Sequence, residues 1–158
     1  MGNKYNAVEV IEMAKDIEKR GYDFYTNQAE KTDNEELKEL FIKLASDEQD
    51  HYNRFVKLGE NITESTKNEA EYVYEPDVSA YLDAIVEFSV FPKEEGVAIK
   101  DIVDAIQIAI YAEKDSILFY QEMLKNNKGE AARVIEKLID EEKQHLLDLV
   151  KYDDKLNK

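Results

Sequence analysis

The chain has 158 residues, 43% hydrophobic and 36% charged, which is enough for one domain with a sizeable core and too little for two of ordinary size. Its formal net charge of −15 comes from 36 acidic against 21 basic residues, with no cluster of Lys or Arg able to follow a phosphate backbone, so nucleic acid is excluded as an expected partner. Cysteine is absent, which removes disulfides, thiolate metal sites, iron–sulfur centres and cysteine nucleophiles, and no apolar run is long enough for a membrane span.

Glycine and proline number only 5 and 2, while Glu, Lys, Leu, Ile and Ala dominate, so the expected class is all-α with residues 1–158 as a single domain. The opening MGNKYNAVEV has no apolar signal region, and a cytoplasmic location is expected.

From about Asn6 to Lys31, apolar residues recur at helical spacing, and the row Ile11, Ala14, Glu18, Tyr22, Tyr25 carries a carboxylate in its middle. Thr32-Asp33-Asn34 supplies turn and capping chemistry for a second helix running to roughly Leu58. The inward face of that helix reads Leu37, Leu40, Phe41, Leu44, Glu48, His51, Phe55, Leu58. After Gly59 the polar stretch NITESTKNEAEYVYEP reads as a surface crossover, with Tyr72 and Tyr74 as loop and docking residues. A short helix is expected from Asp77 to Phe91, stopped by Pro92. A third long helix follows from about Ile99 to Lys125, with Glu113 amid Ile106, Ile110, Ile117 and Tyr120. The fourth, from about Glu130 to Tyr152, carries Glu142 and His145 among Leu138, Ile139 and Leu149.

The two halves repeat each other. Glu18 precedes Tyr25 by seven residues and Glu113 precedes Tyr120 by seven, each tyrosine closing a Phe-Tyr pair. The chain's two histidines, His51 and His145, each follow a glutamate by three residues, Glu48 and Glu142, so each pair shares one helix face. Two helical hairpins joined by a long connection pack most naturally as a four-helix bundle with a crossover, which brings four glutamates and two histidines to one level. Surface ion pairs are the bland alternative for Glu-x-x-His, but both pairs fall on inward rows. Burying four carboxylates together costs several kcal/mol per pair unless they protonate, hydrate or bind cations. Two divalent ions would balance the four carboxylate charges, since neutral imidazoles add none. Mostly oxygen ligands with one nitrogen per ion suit iron or manganese, and zinc would bind too.

These residues resemble the rubrerythrin family of the ferritin-like di-iron carboxylate superfamily, over nearly the whole chain from Ala7 to Tyr152. The resemblance implies that Glu18 and Glu113 are terminal carboxylates, Glu48 and Glu142 bridges, and His51 and His145 one ligand on each of two iron ions. It also implies a redox enzyme that reduces hydrogen peroxide or dioxygen, or oxidises Fe(II), and a homodimer or larger homo-oligomer. Two departures bear on this. Rubrerythrins usually append a four-cysteine rubredoxin domain, and with no cysteine here the electrons are expected from a separate donor protein. Many also carry a second glutamate three residues after the third-helix ligand, where this chain has Ser116, so the carboxylate that moves with oxidation state is missing.

Spacing also proposes supporting groups. Tyr25 and Tyr120 lie two turns from Glu18 and Glu113, within reach of ligand carboxylates on a neighbouring helix, and Asp47 and Glu141 are placed to orient the histidine of the opposite hairpin. The alternatives to an enzyme are an iron-binding or storage protein without turnover, and a bundle in which metal is only structural.

Overall fold

The computed structural model describes residues 5–65, 74–88, 91 and 101–157. Five helices follow in order: α1 (Ala7–Lys31), α2 (Glu35–Ser65), α3 (Pro76–Phe88), α4 (Ile102–Lys125) and α5 (Gly129–Leu156). The four long helices form two antiparallel hairpins, α1 with α2 and α4 with α5, and the short α3 lies on the connection between them and packs on α4. This is the expected all-α bundle with its crossover helix. No helix among the described residues is long and apolar enough to cross a membrane.

Local chemistry explains where the helices begin. Asn6 closes a capping box on α1, accepting from the Glu9 amide at 2.8 Å while the Glu9 carboxylate accepts from the Asn6 amide at 3.3 Å. Asp101 caps α4 by accepting from the Asp104 amide at 2.9 Å. Pro76 occupies the first position of α3, where its missing amide hydrogen costs nothing.

Two boundaries depart from the sequence reading. Helix α2 continues past Leu58 to Ser65, so Gly59 lies inside it and the first residues expected in the crossover are helical. A glycine inside a helix costs about 1 kcal/mol, but here Ile11 of α1 packs close beside Gly59 and the interhelical contact favours continuation. Helix α3 stops at Phe88, before the expected end, and Phe91 turns inward against Phe24 and Tyr25 at ring distances of 5.4 and 5.2 Å. Tyr74 lies in the loop before α3 and docks on the body, as expected: it is buried, its hydroxyl accepts from Asn127 at 3.1 Å, and its backbone amide donates to the Tyr5 carbonyl at 2.6 Å. Pro92 and Tyr72 lie outside the described residues.

The apolar interior divides into two clusters. One gathers Ile11, Ala14, Ile17, Phe55, Leu58, Leu82, Phe119, Ile135 and Leu138. The other gathers Phe24, Leu37, Phe41, Leu44, Phe91, Ile106, Ala109 and Leu149. The residues that separate them along each long helix are Glu18, Glu48 with His51, Glu113, and Glu142 with His145, all buried. A polar layer thus crosses the middle of an otherwise apolar bundle.

Candidate metal centre

Each long helix delivers its polar residue inward because that residue sits in the apolar stripe, and closing the stripe over the core carries it along. Six side chains converge. Nδ1 of His51 stands 2.8 Å from Glu142 Oε1 and 3.6 Å from Glu18 Oε2. Nδ1 of His145 stands 3.0 Å from Glu48 Oε1, 3.4 Å from Glu113 Oε1 and 3.4 Å from Glu142 Oε2. The imidazole rings lie nearly parallel with centroids 5.5 Å apart.

The side chains form two groups, Glu18, Glu48, His51 and Glu142 in one, Glu48, Glu113, Glu142 and His145 in the other, with the candidate ligand atoms of each within 4.8 Å of one another. Glu48 and Glu142 belong to both. Many of these atoms have no hydrogen-bond partner despite full burial: Glu18 Oε2, both oxygens of Glu48, Glu113 Oε2, Glu142 Oε2 and His145 Nδ1. Orphaned buried acceptors carry a cost of about 1–3 kcal/mol each, so a layer of them in an apolar core is unstable unless something enters it. A hard divalent cation does this: it takes several lone pairs from carboxylate oxygens and imidazole nitrogen at once. The donor set therefore fits a pair of metal ions sharing two carboxylates.

Without metal, protons resolve the charge. Burial pushes the Glu48 carboxyl well above 4.5, and the neighbouring carboxylates of Glu142, Glu18 and Glu113 push it further. Glu142 is raised in the same way by burial and by Glu113 and Glu18. Burial also opposes ionisation of Glu18, but Glu48, His51 and the Tyr120 hydroxyl hold it at about 2. Glu113 is lowered by Glu142, His145 and Tyr25 against its own burial. Burial favours neutral His51, yet Glu142 and Glu18 raise it to about 10, and His145 is raised more strongly by Glu113 and Asp47. The directions favour protons on Glu48, Glu142 and the imidazoles, beside ionised Glu18 and Glu113.

The expected supporting residues are reached in three cases of four. The Tyr25 hydroxyl donates to Glu113 Oε1 at 2.7 Å, and the Tyr120 hydroxyl donates to Glu18 Oε1 at 2.5 Å, each tyrosine serving the opposite hairpin. Asp47 Oδ2 lies 3.0 Å from Nε2 of His145, which turns that ring's Nδ1 toward the centre. Glu141 behaves differently. It lies 3.7 Å from His51 Nε2, beyond hydrogen-bonding range, and is taken instead by a two-pronged pair with Arg54, whose Nη2 donates to Oε1 at 3.2 Å and Nη1 to Oε2. Tyr22, expected on the inward row, points outward at 37% exposure.

Two contributors were missed from the sequence. Arg54 gave no signal because nothing in the other hairpin matches it. Gly21 did give one, as a glycine within a helix: a β-carbon there would lie 2.8 Å from Glu48 Oε2 and 3.0 Å from the Phe91 ring, so only glycine leaves Glu48 its place. Ser116 is buried, and its hydroxyl donates to the Ala112 carbonyl at 2.9 Å rather than to the centre.

A family model described as Rubrerythrin matches residues 9–152, which include all six converging side chains. The chain belongs to the rubrerythrin family. Among solved structures, a Thermotoga maritima protein described as a ferritin-like diiron-carboxylate protein is similar, with 25% identity, 98% of each chain covered and a TM-score of 0.69. Comparison with curated proteins gives no match. The rubrerythrin assignment accounts for the doubled Glu-x-x-His pattern and its burial at mid-bundle.

Proposed function

We propose that this rubrerythrin-family protein is a redox enzyme that reduces hydrogen peroxide or dioxygen, or oxidises Fe(II), at a centre of two iron ions. The observation that supports it is the sharing of Glu48 and Glu142 between two groups that each contain one histidine. In this reading Glu18, Glu113, His51 and His145 would each serve one ion, and Glu48 and Glu142, which belong to both donor groups, would be shared between the two. Manganese suits the same donors, and zinc would bind without redox chemistry. When bound, two redox-active ions supply one electron each to an O–O bond, and peroxide takes up two protons and leaves as two waters.

The chain's own groups then have defined tasks. The apolar clusters on both sides keep bulk water from the centre. Tyr25 and Tyr120 hold Glu113 and Glu18 by one oxygen, leaving the other oxygen free to ligate. Asp47 fixes the tautomer of His145. Ser116 donates to the Ala112 carbonyl and not to the centre, so among the described residues six side chains offer donors there.

Electrons come from a separate donor protein. We also read the chain as a homo-oligomer, with Tyr111 and Leu118 of α4 and Leu147 and Val150 of α5 as the exposed apolar surface available for self-association. The test is to load the protein anaerobically with Fe(II), add peroxide or oxygen with an electron donor, and follow turnover. Repeated turnover is expected. A single stoichiometric oxidation with iron retained would instead indicate a store, and a redox-silent zinc protein would leave a structural role.

A further inference from the structure

Pseudo-symmetry relates the hairpins through the centre, so the faces covering Glu18 and Glu113 can be compared position by position. Over Glu113, the positions on α4 and α5 are Lys114, Ile117, Leu118, Lys143 and Leu146. Ile117 and Leu146 pack against the apolar interior. Over Glu18, the matching residues are Lys19, Tyr22, Asp23, Gln49 and Tyr52, and here they frame a cavity of about 270 Å³ that reaches Glu18 itself. Glu18 is the buried member of that lining, and its Oε2 has no hydrogen-bond partner. The repeat is thus unlike on its two sides: polar residues and tyrosines frame a space over Glu18 large enough for a hydrated ion, where apolar Ile117 and Leu146 stand at two of the matching positions over Glu113.

We propose that divalent cations reach the buried centre through this cavity between α1 and α2, passing Tyr22, Gln49 and Tyr52 to meet Glu18 first. The inference rests on the reading of the six residues as a metal centre. Its electrostatics carry a sign at the mouth. Asp23 attracts a cation and Lys19, paired with it at 2.9 Å, opposes one. Glu18 stands buried behind them and belongs to the first donor group.

The test separates rate from equilibrium. Stopped-flow uptake of Co(II), a redox-inert probe, gives the entry rate, and equilibrium titration gives stoichiometry and affinity. Gln49→Trp, at an exposed position on the rim, is expected to slow uptake by about tenfold or more while leaving two Co(II) per chain. Lys143→Trp, at the matching position of the other hairpin, should leave both unchanged. Asp23→Asn should slow entry and Lys19→Gln should speed it, each by about two- to fivefold at low ionic strength and less at high salt. Normal stoichiometry with an unchanged rate in Gln49→Trp overturns the route, as does equal slowing in Lys143→Trp. Fewer than two Co(II) in the unsubstituted protein overturns the reading of the centre instead.

Discussion

Glu142 Oε1 lies 2.8 Å from Nδ1 of His51, so the glutamate of the second hairpin meets the histidine of the first. The reciprocal contact joins Glu48 to His145 at 3.0 Å. Each group of candidate ligands therefore spans both hairpins, and a bound ion would tie them together. Loading with Fe(II) or Mn(II) should raise the thermal midpoint, by an amount equivalent to about 2.7 kcal/mol when free metal is a hundred times the Kd, and a chelator should reverse it. Glu142→Gln should lose most of that gain. Scanning calorimetry with and without metal checks both.

Tyr25 and Tyr120 make matching bonds to Glu113 and Glu18 from opposite hairpins. Replacing either with Phe leaves a buried carboxylate oxygen without its donor, at a cost of about 1.5–3 kcal/mol for a charged partner. Each substitution should weaken metal binding by about 10- to 100-fold, with similar losses for the two. Competition titration against a chelator measures this.

Gly21 and Gly59 are both helical glycines, but what a β-carbon would meet differs. At Gly21 it would lie 2.8 Å from Glu48 Oε2, and at Gly59 it would lie 3.4 Å from Ile11 Cγ2, an ordinary contact. Gly59→Ala should therefore stabilise the fold by up to about 1 kcal/mol through helix propensity alone. Gly21→Ala should gain nothing from propensity and should displace the shared carboxylate, lowering metal affinity. Denaturant midpoints and metal titrations of the two variants should diverge in this way.

The pH dependence has a definite sign. His51 is raised from 6.5 to about 10 by Glu142 and Glu18 against its own burial, so it stabilises the metal-free fold below 6.5, and that contribution is lost as pH rises toward 10. Glu48 and Glu142, raised well above 4.5, act in the same direction. Glu18, lowered to about 2, contributes above 4.5 and is lost as pH falls toward 2. The metal-free protein should become less stable from pH 6.5 upward, while the metal-loaded protein stays flat. Metal must displace the protons of two rings and two carboxyls, so uptake should release up to about four protons per chain and tighten with rising pH. Denaturation midpoints across pH, with proton release measured during titration, check these statements.

The centre was legible in the sequence because its residues interrupt stripes whose period is fixed by the helix, and because the repeat doubles every signal: Glu18 with Glu113, Glu48 with Glu142, His51 with His145. Tyr25 and Tyr120 were legible for the same reason. What escaped was whatever breaks the symmetry or depends on tertiary contact. Glu141 mirrors Asp47 in the chain but is held by Arg54, which has no counterpart in the other hairpin. Helix α2 outran its expected end because Ile11 supports Gly59 from another helix. Tyr22 shares a row with Glu18 and Tyr25 in sequence, yet it stands outward at the rim of the cavity over Glu18.

Six buried side chains, four of them carboxylates, offer donors for two metal ions. Anaerobic loading with Fe(II), removal of excess, and elemental analysis test this most directly. Two ions per chain are expected, with loading lost in Glu48→Ala because that carboxylate belongs to both donor groups. One ion or none, or loading unchanged in Glu48→Ala, would contradict it.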